Sequence, residues 1–342
     1  MNIELPNIAF IVGMGRSGTT MLTSMLNMNE QIIATPENEF VLFSYSSFKN
    51  KDFNNPDVRR AFSKIFHYNF NRVINIWMPG SIERKITNLT DKKFANVCKQ
   101  MYLSYPLAQK NIESVKWVVD KNPSYSLYMN TLHELYPKAK YILIVRDYRD
   151  NILSRKKYSD KGSSIFELAA SWNYYYYKIF KSAAKYDLPI FIVKYENLVE
   201  FPEKTLREMC CFLEVQYTDE MLQFQGFASK IKDHAKTKLS TDNFRKISEM
   251  HSNLNKNVNT ERIEAFRKEL STDEINILDT LCKKNAKVFN YKPSEEFSLG
   301  ISFGKKLFYL FALLKVIIFN QINIFYYKMP VSFRLLFKEK LV

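Results

Sequence analysis

The chain has 342 residues, of which 46% are apolar and 25% charged, a composition that excludes a disordered chain and allows a sizeable core. The formal net charge of +15 suits nucleic acid, a membrane surface or a polyanionic small ligand, and composition does not choose among them. The four cysteines, at 98, 210, 211 and 282, form no CxxC pair and no metal-ligand spacing, so reduced thiols in a cytosolic enzyme are expected.

The first part of the chain alternates strands and helices. Met1–Ile8 lacks the charged and apolar regions of a signal peptide. An amphipathic helix is predicted over Ser17–Asn27, and helical stretches flank the other strands. Short apolar runs predict four buried parallel strands, at Ile8–Val12, Val115–Val119, Tyr141–Val145 and Ile190–Val193. This alternation predicts an α/β fold with a mainly parallel central sheet.

Two further segments complete the body of the chain. Residues 46–110 are polar and lack a strand period, so we expect a helical insertion there. Ser271–Ala286 is predicted to be a helix, since Ser271 is a suitable N-cap and Glu274 follows three residues later. We expect one domain over residues 1–299 and a separate tail over residues 300–342.

The tail combines apolar and basic residues. Gly300–Val342 holds seven basic residues and one acidic residue. Its apolar run, Leu307–Phe319, is shorter than the roughly 20 residues that a membrane-spanning helix needs. Wound as a helix, the tail places Lys305, Asn320 and Asn323 on one side and apolar residues on the other. Two interpretations stay open: a helix in the membrane interface, or a helix packed on the core or on a second subunit.

A glycine-rich loop follows the first strand and opens the first helix, with the sequence Gly13-Met14-Gly15-Arg16-Ser17-Gly18-Thr19-Thr20. Such a loop directs backbone N–H groups at an anion, and the helix N-terminus adds favourable partial charge. The spacing nearly matches a Walker A loop, with Thr19 where the lysine belongs. That lysine reaches the outer phosphates of a nucleoside triphosphate, so its absence argues against an ATP or GTP hydrolase. A glycine-rich turn without a ligand is the alternative.

Four motifs, in the family's order, resemble those of sulfotransferases that use 3′-phosphoadenosine 5′-phosphosulfate (PAPS). The likeness is greatest to the branch that contains tyrosylprotein sulfotransferases and many bacterial carbohydrate or lipid sulfotransferases. The motifs are the loop at Gly15–Thr20, the element Asp120-Lys121-Asn122-Pro123, the pair Arg146 and Ser154, and the segment Tyr195-Glu196-Asn197-Leu198-Val199. They lie between residues 8 and 214, and a looser likeness continues to Tyr291. The resemblance implies a P-loop-like three-layer α/β sandwich with helical insertions.

The resemblance also implies roles for single residues. It implies that Arg146 and Ser154 bind the 3′-phosphate of the donor. A guanidinium and a hydroxyl together complement a phosphate monoester. The donor-binding residues that it implies are Gly15, Arg16, Ser17, Gly18, Thr19, Thr20, Arg146, Ser154, Tyr195 and Lys256. The residues implied to act on the transferring group are Lys121 at the sulfonate, Arg16 at the 5′-phosphate or sulfonate, and Ser252. For Lys121 the alternative is a salt bridge to Asp120 or Asp147.

The acceptor hydroxyl needs a base, because it is a poor nucleophile until its proton is removed. Glu37, in the segment Thr35-Pro36-Glu37-Asn38-Glu39, occupies the position that the resemblance implies for the catalytic glutamate. Glu39 and His251 are the rival candidates. Without the resemblance, an exposed loop carboxylate would be the simpler interpretation of Glu37.

These observations predict a cytoplasmic enzyme that moves a sulfuryl group from PAPS to an acceptor hydroxyl and releases PAP, the desulfated nucleotide. No metal is expected, because a sulfuryl group carries less charge than a phosphoryl group and side-chain cations suffice. The expected acceptor is a sterol, another lipid alcohol, or a glycan or glycolipid, with protein tyrosine as an alternative.

Two other classes of function stay open at this point. They are a P-loop nucleotide kinase or GTPase, which the missing loop lysine opposes, and a non-catalytic anion-binding module. We expect no nucleic-acid partner. We expect contact of the tail with the inner membrane face, and self-association is left open.

Overall fold

A computed structural model describes residues 5–35, 37–73, 82–104, 110–158, 160, 162–225, 260–294 and 300–338. Five strands form a single sheet within these residues. The strands are β1 Asn7–Val12, β2 Ile32–Thr35, β3 Trp117–Lys121, β4 Lys140–Val145 and β5 Ile190–Lys194.

Helices connect and cover the strands. The helices before β4 are α1 Thr19–Asn27, α2 Phe40–Phe48, α3 Pro56–Val73, α4 Ile82–Thr87, α5 Phe94–Leu103 and α6 Met129–Leu135. Those after β4 are α7 Tyr148–Tyr158, α8 Ile165–Tyr186, α9 Tyr195–Glu200, α10 Pro202–Leu213, α11 Phe266–Glu269, α12 Thr272–Val288, α13 Phe303–Lys328 and α14 Val331–Lys338. Single 3₁₀ turns lie at Ile112–Ser114, Pro123–Leu127 and Asp219–Leu222.

The sheet has the order β2-β3-β1-β4-β5, and every pairing in it is parallel. Alternate residues of β1 belong to different cores, with Phe10 packing on one face of the sheet and Ile11 on the other. One core is closed mainly by α1 and α10, and the larger one by α2 to α8 and α12. The expected three-layer α/β sandwich is therefore confirmed, since apolar runs of this kind are buried on both faces.

The predicted elements agree with the structure except near the two edges of the sheet, where β5 was predicted to be buried but exposes Ile192. Strand β2 was missed, because four residues between two polar segments carry too little periodicity to be recognised. Strand β3 begins two residues later than predicted and includes Asp120 and Lys121, which are both buried. The helix at Thr272–Val288 is confirmed, with a complete capping box between Ser271 and Glu274. The described residues between 46 and 110 contain helices and no strand.

The tail is helical and packs on α8. By length and composition α13 could cross a membrane, which corrects the expectation that its apolar segment is too short. Its inner face is mixed: Asn320 is buried, Asn173 of α8 donates a hydrogen bond to the hydroxyl of Tyr309, and Val316, Ile317 and Ile324 pack against the main core. Its exposed apolar residues define the outer face of α13, namely Phe303, Leu307, Phe308, Leu310, Phe311, Leu314, Ile318, Phe319, Ile322 and Phe325.

Candidate active site

The register of the sheet brings the sequence motifs together at the carboxyl ends of the strands. Thr35 pairs with Asp120, so the residues that follow β2 lie beside the end of β3. Val145 pairs with Lys194, so Arg146 and Tyr195 leave adjacent strands side by side. The glycine-rich loop follows β1, which lies between β3 and β4. Ligands of open parallel sheets bind at this edge.

Glu37 and Lys121 form an ion pair on one side of this edge. Lys121 Nζ donates to Glu37 Oε2 over 2.8 Å. The lysine side chain is 5% exposed, whereas that of Glu37 is 53% exposed. A buried cation thus holds a carboxylate that solvent or an acceptor hydroxyl can reach. The alternative expectation, a salt bridge from Lys121 to Asp120 or Asp147, is wrong. Asp147 pairs with Arg149, and among the described residues no ion pair joins Lys121 to Asp120.

A buried polar network holds the segment that carries Glu37. Asn122 donates to the carbonyl of Asn38 over 2.8 Å, and Asn38 donates to Asp120 over 3.3 Å. Tyr102 also donates to Asp120. Burial raises the pKa of Asp120 to about 7, although the hydrogen bonds and the neighbouring Lys121 favour the ionised form. The segment that carries the base candidate is therefore fixed by Asp120, a motif residue to which the resemblance gave no role.

Glu39, the rival of Glu37, is engaged elsewhere. Its Oε2 accepts a hydrogen bond of 2.5 Å from the hydroxyl of Tyr327 in α13. The Tyr327 ring packs edge-on against Tyr128 at 5.3 Å. Glu39 therefore connects the loop that follows β2 to the tail of the chain.

Arginines gather on the other side of the edge. Arg16 Nε donates to Ser154 Oγ over 3.3 Å, so this loop residue lies beside the expected 3′-phosphate pair. Arg146 donates to the carbonyl of Arg16 over 3.4 Å and to the carbonyl of Arg262 over 2.5 Å. Its guanidinium lies over the ring of Tyr195, 4.6 Å from the ring centre. Three motifs separated along the chain thus form one cationic group.

The charges of this group are not balanced by ion pairs. Neither Arg16 nor Arg146 forms an ion pair with a described carboxylate. Burial lowers the pKa of Arg16, and the positive charges of Arg146 and Arg262 lower it further. The Nε of Arg146 is buried without a hydrogen-bond partner among the described residues. Such a group is costly to bury unless an anion binds it, so the residues present fit a phosphate.

The glycine-rich loop presents a helix N-terminus to the same region. Gly18 precedes α1 with a φ of 92°, and no side chain caps the first turn of the helix. A Cβ on Gly18 would lie 2.7 Å from the ring of Tyr195, so only glycine allows this approach. Ser17 accepts a hydrogen bond from Asn151, which fixes the loop, and Thr19 and Thr20 begin α1. The uncapped N–H groups suit an anion.

Buried ion pairs fix the ends of β4 and β5 behind the site. Arg149 pairs with Asp147 over 2.7 Å and with Asp279 over 3.4 Å. Glu196 accepts from the backbone N–H of Asp147 over 2.9 Å and from the hydroxyl of Tyr291 over 2.6 Å. The acidic residues of these two motifs are structural, and they hold Arg146 and Tyr195 in place.

Some predicted site residues lie outside the described residues, namely His251, Ser252 and Lys256. Sequence reasoning missed Arg262, whose only signal was its basic side chain in the loosely similar segment. It also missed the supporting residues Asn38 and Tyr102. Within the described ranges, no group of three His, Cys, Asp or Glu side chains could hold a metal ion.

Residues 7–219 match the sequence model of the sulfotransferase family. Nodulation protein NoeE of Sinorhizobium fredii is 29% identical over 143 residues, which are 42% of this chain and 29% of that protein. Protein-tyrosine sulfotransferase 1 of Danio rerio is 24% identical over 67% of this chain and 59% of its own length. The chain thus spans less than two thirds of either relative. The sulfotransferase domain of a Synechococcus olefin synthase shares the fold, with a TM-score of 0.51, 19% identity, and coverage of 84% of this chain and 96% of that domain.

Proposed function

The chain belongs to the sulfotransferase family, and we propose that it transfers a sulfuryl group from PAPS to the hydroxyl of a lipophilic acceptor, with Glu37 as the general base. The observation that carries the proposal is the ion pair between Glu37 and Lys121 at the same sheet edge as the arginine group. One side of the edge therefore offers cations to a donor that carries a 3′-phosphate and a 5′-phosphosulfate, and the other offers a carboxylate to an acceptor.

The donor is held in this proposal by the arginine side of the edge. Arg146, Ser154 and Arg16 bind the 3′-phosphate, and the uncapped N-terminus of α1 receives the 5′-phosphosulfate. This moves Arg16 from the 5′-phosphate or sulfonate, where the family resemblance put it, to the 3′-phosphate, because its guanidinium lies beside Ser154 and Arg146. Tyr195, under the Arg146 guanidinium, contacts the nucleotide.

The chemistry requires a proton acceptor and a cation. Glu37 takes the proton of the acceptor hydroxyl while the hydroxyl oxygen forms a bond to sulfur. At the same time the bond between sulfur and the bridging oxygen of the 5′-phosphate breaks. Lys121 stabilises the negative charge that grows on the sulfuryl and leaving oxygens. Because Lys121 already lies 2.8 Å from Glu37, a hydroxyl bound to the carboxylate also lies beside the cation. PAP leaves with the negative charge that develops on the oxygen that had bridged phosphorus and sulfur.

The surroundings of Glu37 and Glu39 support an apolar acceptor. Burial raises the pKa of Tyr175 to about 12, and the charges of Glu37 and Glu39 act in the same direction, so this ring lies near both carboxylates. Tyr128 and Tyr327 pack together beside Glu39. Aromatic surface next to a single reactive carboxylate suits the ring system of a sterol or the lipid part of a glycolipid.

A protein tyrosine is the second candidate acceptor, because four of the relatives carry the name protein-tyrosine sulfotransferase. Two carboxylates on the acceptor side count against it when the tyrosine lies in an acidic peptide, since like charges repel.

The test is incubation of the full chain with PAPS and three acceptors: a sterol, a glycolipid, and a tyrosine peptide in acidic and neutral forms. Mass spectrometry reads the mass of one added sulfuryl group. Sulfation of the sterol or glycolipid, lost in Glu37→Gln, supports the proposal. Sulfation of the peptide alone selects the second candidate. If PAPS sulfates none of the three acceptors, the proposal that PAPS is the donor is rejected.

A further inference from the structure

The outer face of α13 differs from the outer face of an ordinary surface helix. In a globular protein a surface helix buries its apolar stripe and exposes its polar one. Here the inner face is apolar too, with Val316, Ile317 and Ile324 packed against the main core, and ten further large apolar side chains are exposed. Each of the ten exposes 43% or more of its surface. The helix therefore presents an apolar stripe that no described element covers.

The size of this face exceeds what a monomer normally exposes. Ten side chains of this size and exposure leave an apolar area on the order of 1,000 Å², whereas the largest patch on a typical monomer is about 300–600 Å². The face runs from Phe303 to Phe325, a length of about 33 Å. Interaction sites are the usual reason for such a patch.

The charges around the outer face favour an anionic surface. Residues 300–338 contain six basic residues and no acidic one. Lys306 and Lys328 are exposed near the two ends of the helix and form no ion pair with a described carboxylate, while Lys315 pairs with Glu167 of α8. A second copy of the chain would bring like charges together, and each copy carries +15. Anionic lipid head groups complement both the flanking lysines and the net charge.

The contacts of α13 also fix how it would meet the lipid. The helix packs along α8 through its inner face, which includes the buried Asn320, and Lys305 pairs with Asp273 of α12. Crossing the bilayer would expose Asn320 and break these contacts. The arrangement suits a helix that lies in the plane of the interface, with its apolar side among the acyl chains.

We infer that the outer face of α13 docks on the surface of an anionic lipid bilayer and lies in its plane. Docking also orients the site. Tyr327, at the end of the helix, binds Glu39, two residues from Glu37, and Ser46 of α2 binds the carbonyl of Met329. Docking therefore brings the acceptor side of the site close to the membrane. This last step rests on the proposed function, whereas lipid binding does not.

The first experiment measures co-sedimentation of the full chain with vesicles, without donor or acceptor, so that its outcome is independent of catalysis. We expect binding to vesicles of phosphatidylglycerol mixed with phosphatidylcholine, and at least roughly tenfold weaker binding to phosphatidylcholine alone. Equal binding to both, or none to either, overturns the inference. A dimer seen by sedimentation velocity that Leu314→Gln abolishes, without vesicle binding, would assign the face to a second copy instead.

Matched variants locate the binding surface. Leu314→Gln with Ile318→Gln alters two outer-face residues that are 53% and 50% exposed. Phe201→Gln with Val288→Gln alters two apolar residues of similar exposure, 58% and 56%, outside α13. We expect the first pair to weaken vesicle binding roughly tenfold or more and the second pair to leave it unchanged. Equal effects of the two pairs overturn the assignment, and wild-type thermal unfolding in both shows that they fold.

The depth of the helix separates docking from spanning. Leu314→Trp places a fluorophore near the middle of α13, and its signal is taken relative to the wild-type chain. Lipids brominated near the head group should quench it more than lipids brominated near the chain ends. Stronger quenching by the deep bromines means that the helix spans the bilayer and rejects the in-plane arrangement.

Discussion

The two sides of the sheet edge differ in how their charges are held. On the donor side, Arg16 and Arg146 bind hydroxyl and carbonyl oxygens and an aromatic ring, and no described carboxylate neutralises them. On the acceptor side, Lys121 is buried and paired with Glu37, whose side chain is half exposed. The first arrangement suits the binding of an anion, and the second leaves the carboxylate proposed as the base accessible while its lysine partner is buried.

Substitutions on the two sides should therefore affect different steps, ligand binding on one side and the chemical step on the other. Loss of a donor-side cation should weaken ligand binding, because that charge acts in the ground state. Loss of the acceptor-side carboxylate should slow the chemical step, because proton removal belongs to the transition state.

Glu37→Gln should produce the largest effect. A positioned base contributes about 10²–10⁴-fold to the rate, and glutamine keeps the shape of the side chain without accepting the proton. We expect kcat to fall by about that factor while the affinity for PAP stays within about threefold. Steady-state kinetics with one acceptor and calorimetry with PAP measure the two quantities.

The controls for Glu37 are the rival bases. Glu39→Gln should change kcat much less, because Glu39 is bound by Tyr327, and His251→Ala should do the same. Lys121→Ala should lower both kcat and donor affinity, since its charge acts in both states. If the histidine variant is the inactive one, the base assignment is wrong.

Arg146→Ala tests the donor side. Loss of a charge-assisted hydrogen bond costs about 1.5–3 kcal/mol, so the PAP affinity should fall about 10- to 150-fold. Ser154→Ala should cost less, about 0.5–1.5 kcal/mol. Isothermal calorimetry with PAP measures both, and ATP should bind the wild-type chain much more weakly.

The matched control for Arg146 is Arg207→Ala, which removes an exposed arginine of α10 that pairs with Glu203. It changes the net charge equally but removes no site contact, so the PAP affinity should stay unchanged. A similar loss in both variants would mean that overall charge, and not the site, binds the nucleotide.

Gly18→Ala tests the contact between the loop and Tyr195. The substitution combines a φ of 92° with a Cβ at 2.7 Å from the Tyr195 ring, so we expect about 1–3 kcal/mol of destabilisation. Gly15→Ala is the matched control, because a Cβ there meets nothing within 4 Å. Denaturant unfolding of the ligand-free chain compares the two variants. Equal stability would show that Tyr195 does not lie against the loop.

The smallest effect should be the pH dependence caused by Asp120. Its pKa is about 7 in the folded protein, above the ordinary value of 3.8, so the folded state holds the proton more tightly. Its contribution to stability is therefore complete below about pH 4 and is lost as the pH rises through about 7. Between pH 5 and pH 8 the wild-type Tm should fall by roughly 2–4 °C more than that of Asp120→Asn. Parallel curves of Tm against pH would contradict the raised pKa.

The sequence by itself determined the fold class and the sites where the chain leaves the sheet. Buried apolar runs mark β1 and β4, since both faces of these central parallel strands are covered, and a shorter apolar run marks the partly buried edge strand β5. The runs of β1 and β4 are followed by residues suited to an anion, the glycine-rich loop with Gly18 and Arg146. Local order along the chain was enough for these predictions, because strand ends and helix starts have local signatures.

Only the tertiary structure decided which of these residues meet. The parallel register of the missed strand β2 places Glu37 beside Lys121, 84 positions further along the chain. The docking of distant segments brings Arg262 to Arg146 and Tyr327 to Glu39. The packing of α13 on α8 decided which apolar residues of this helix are covered and which ten stay exposed. A linear pattern records periodicity but not strand register or helix rotation, because both depend on contacts between residues far apart in the chain.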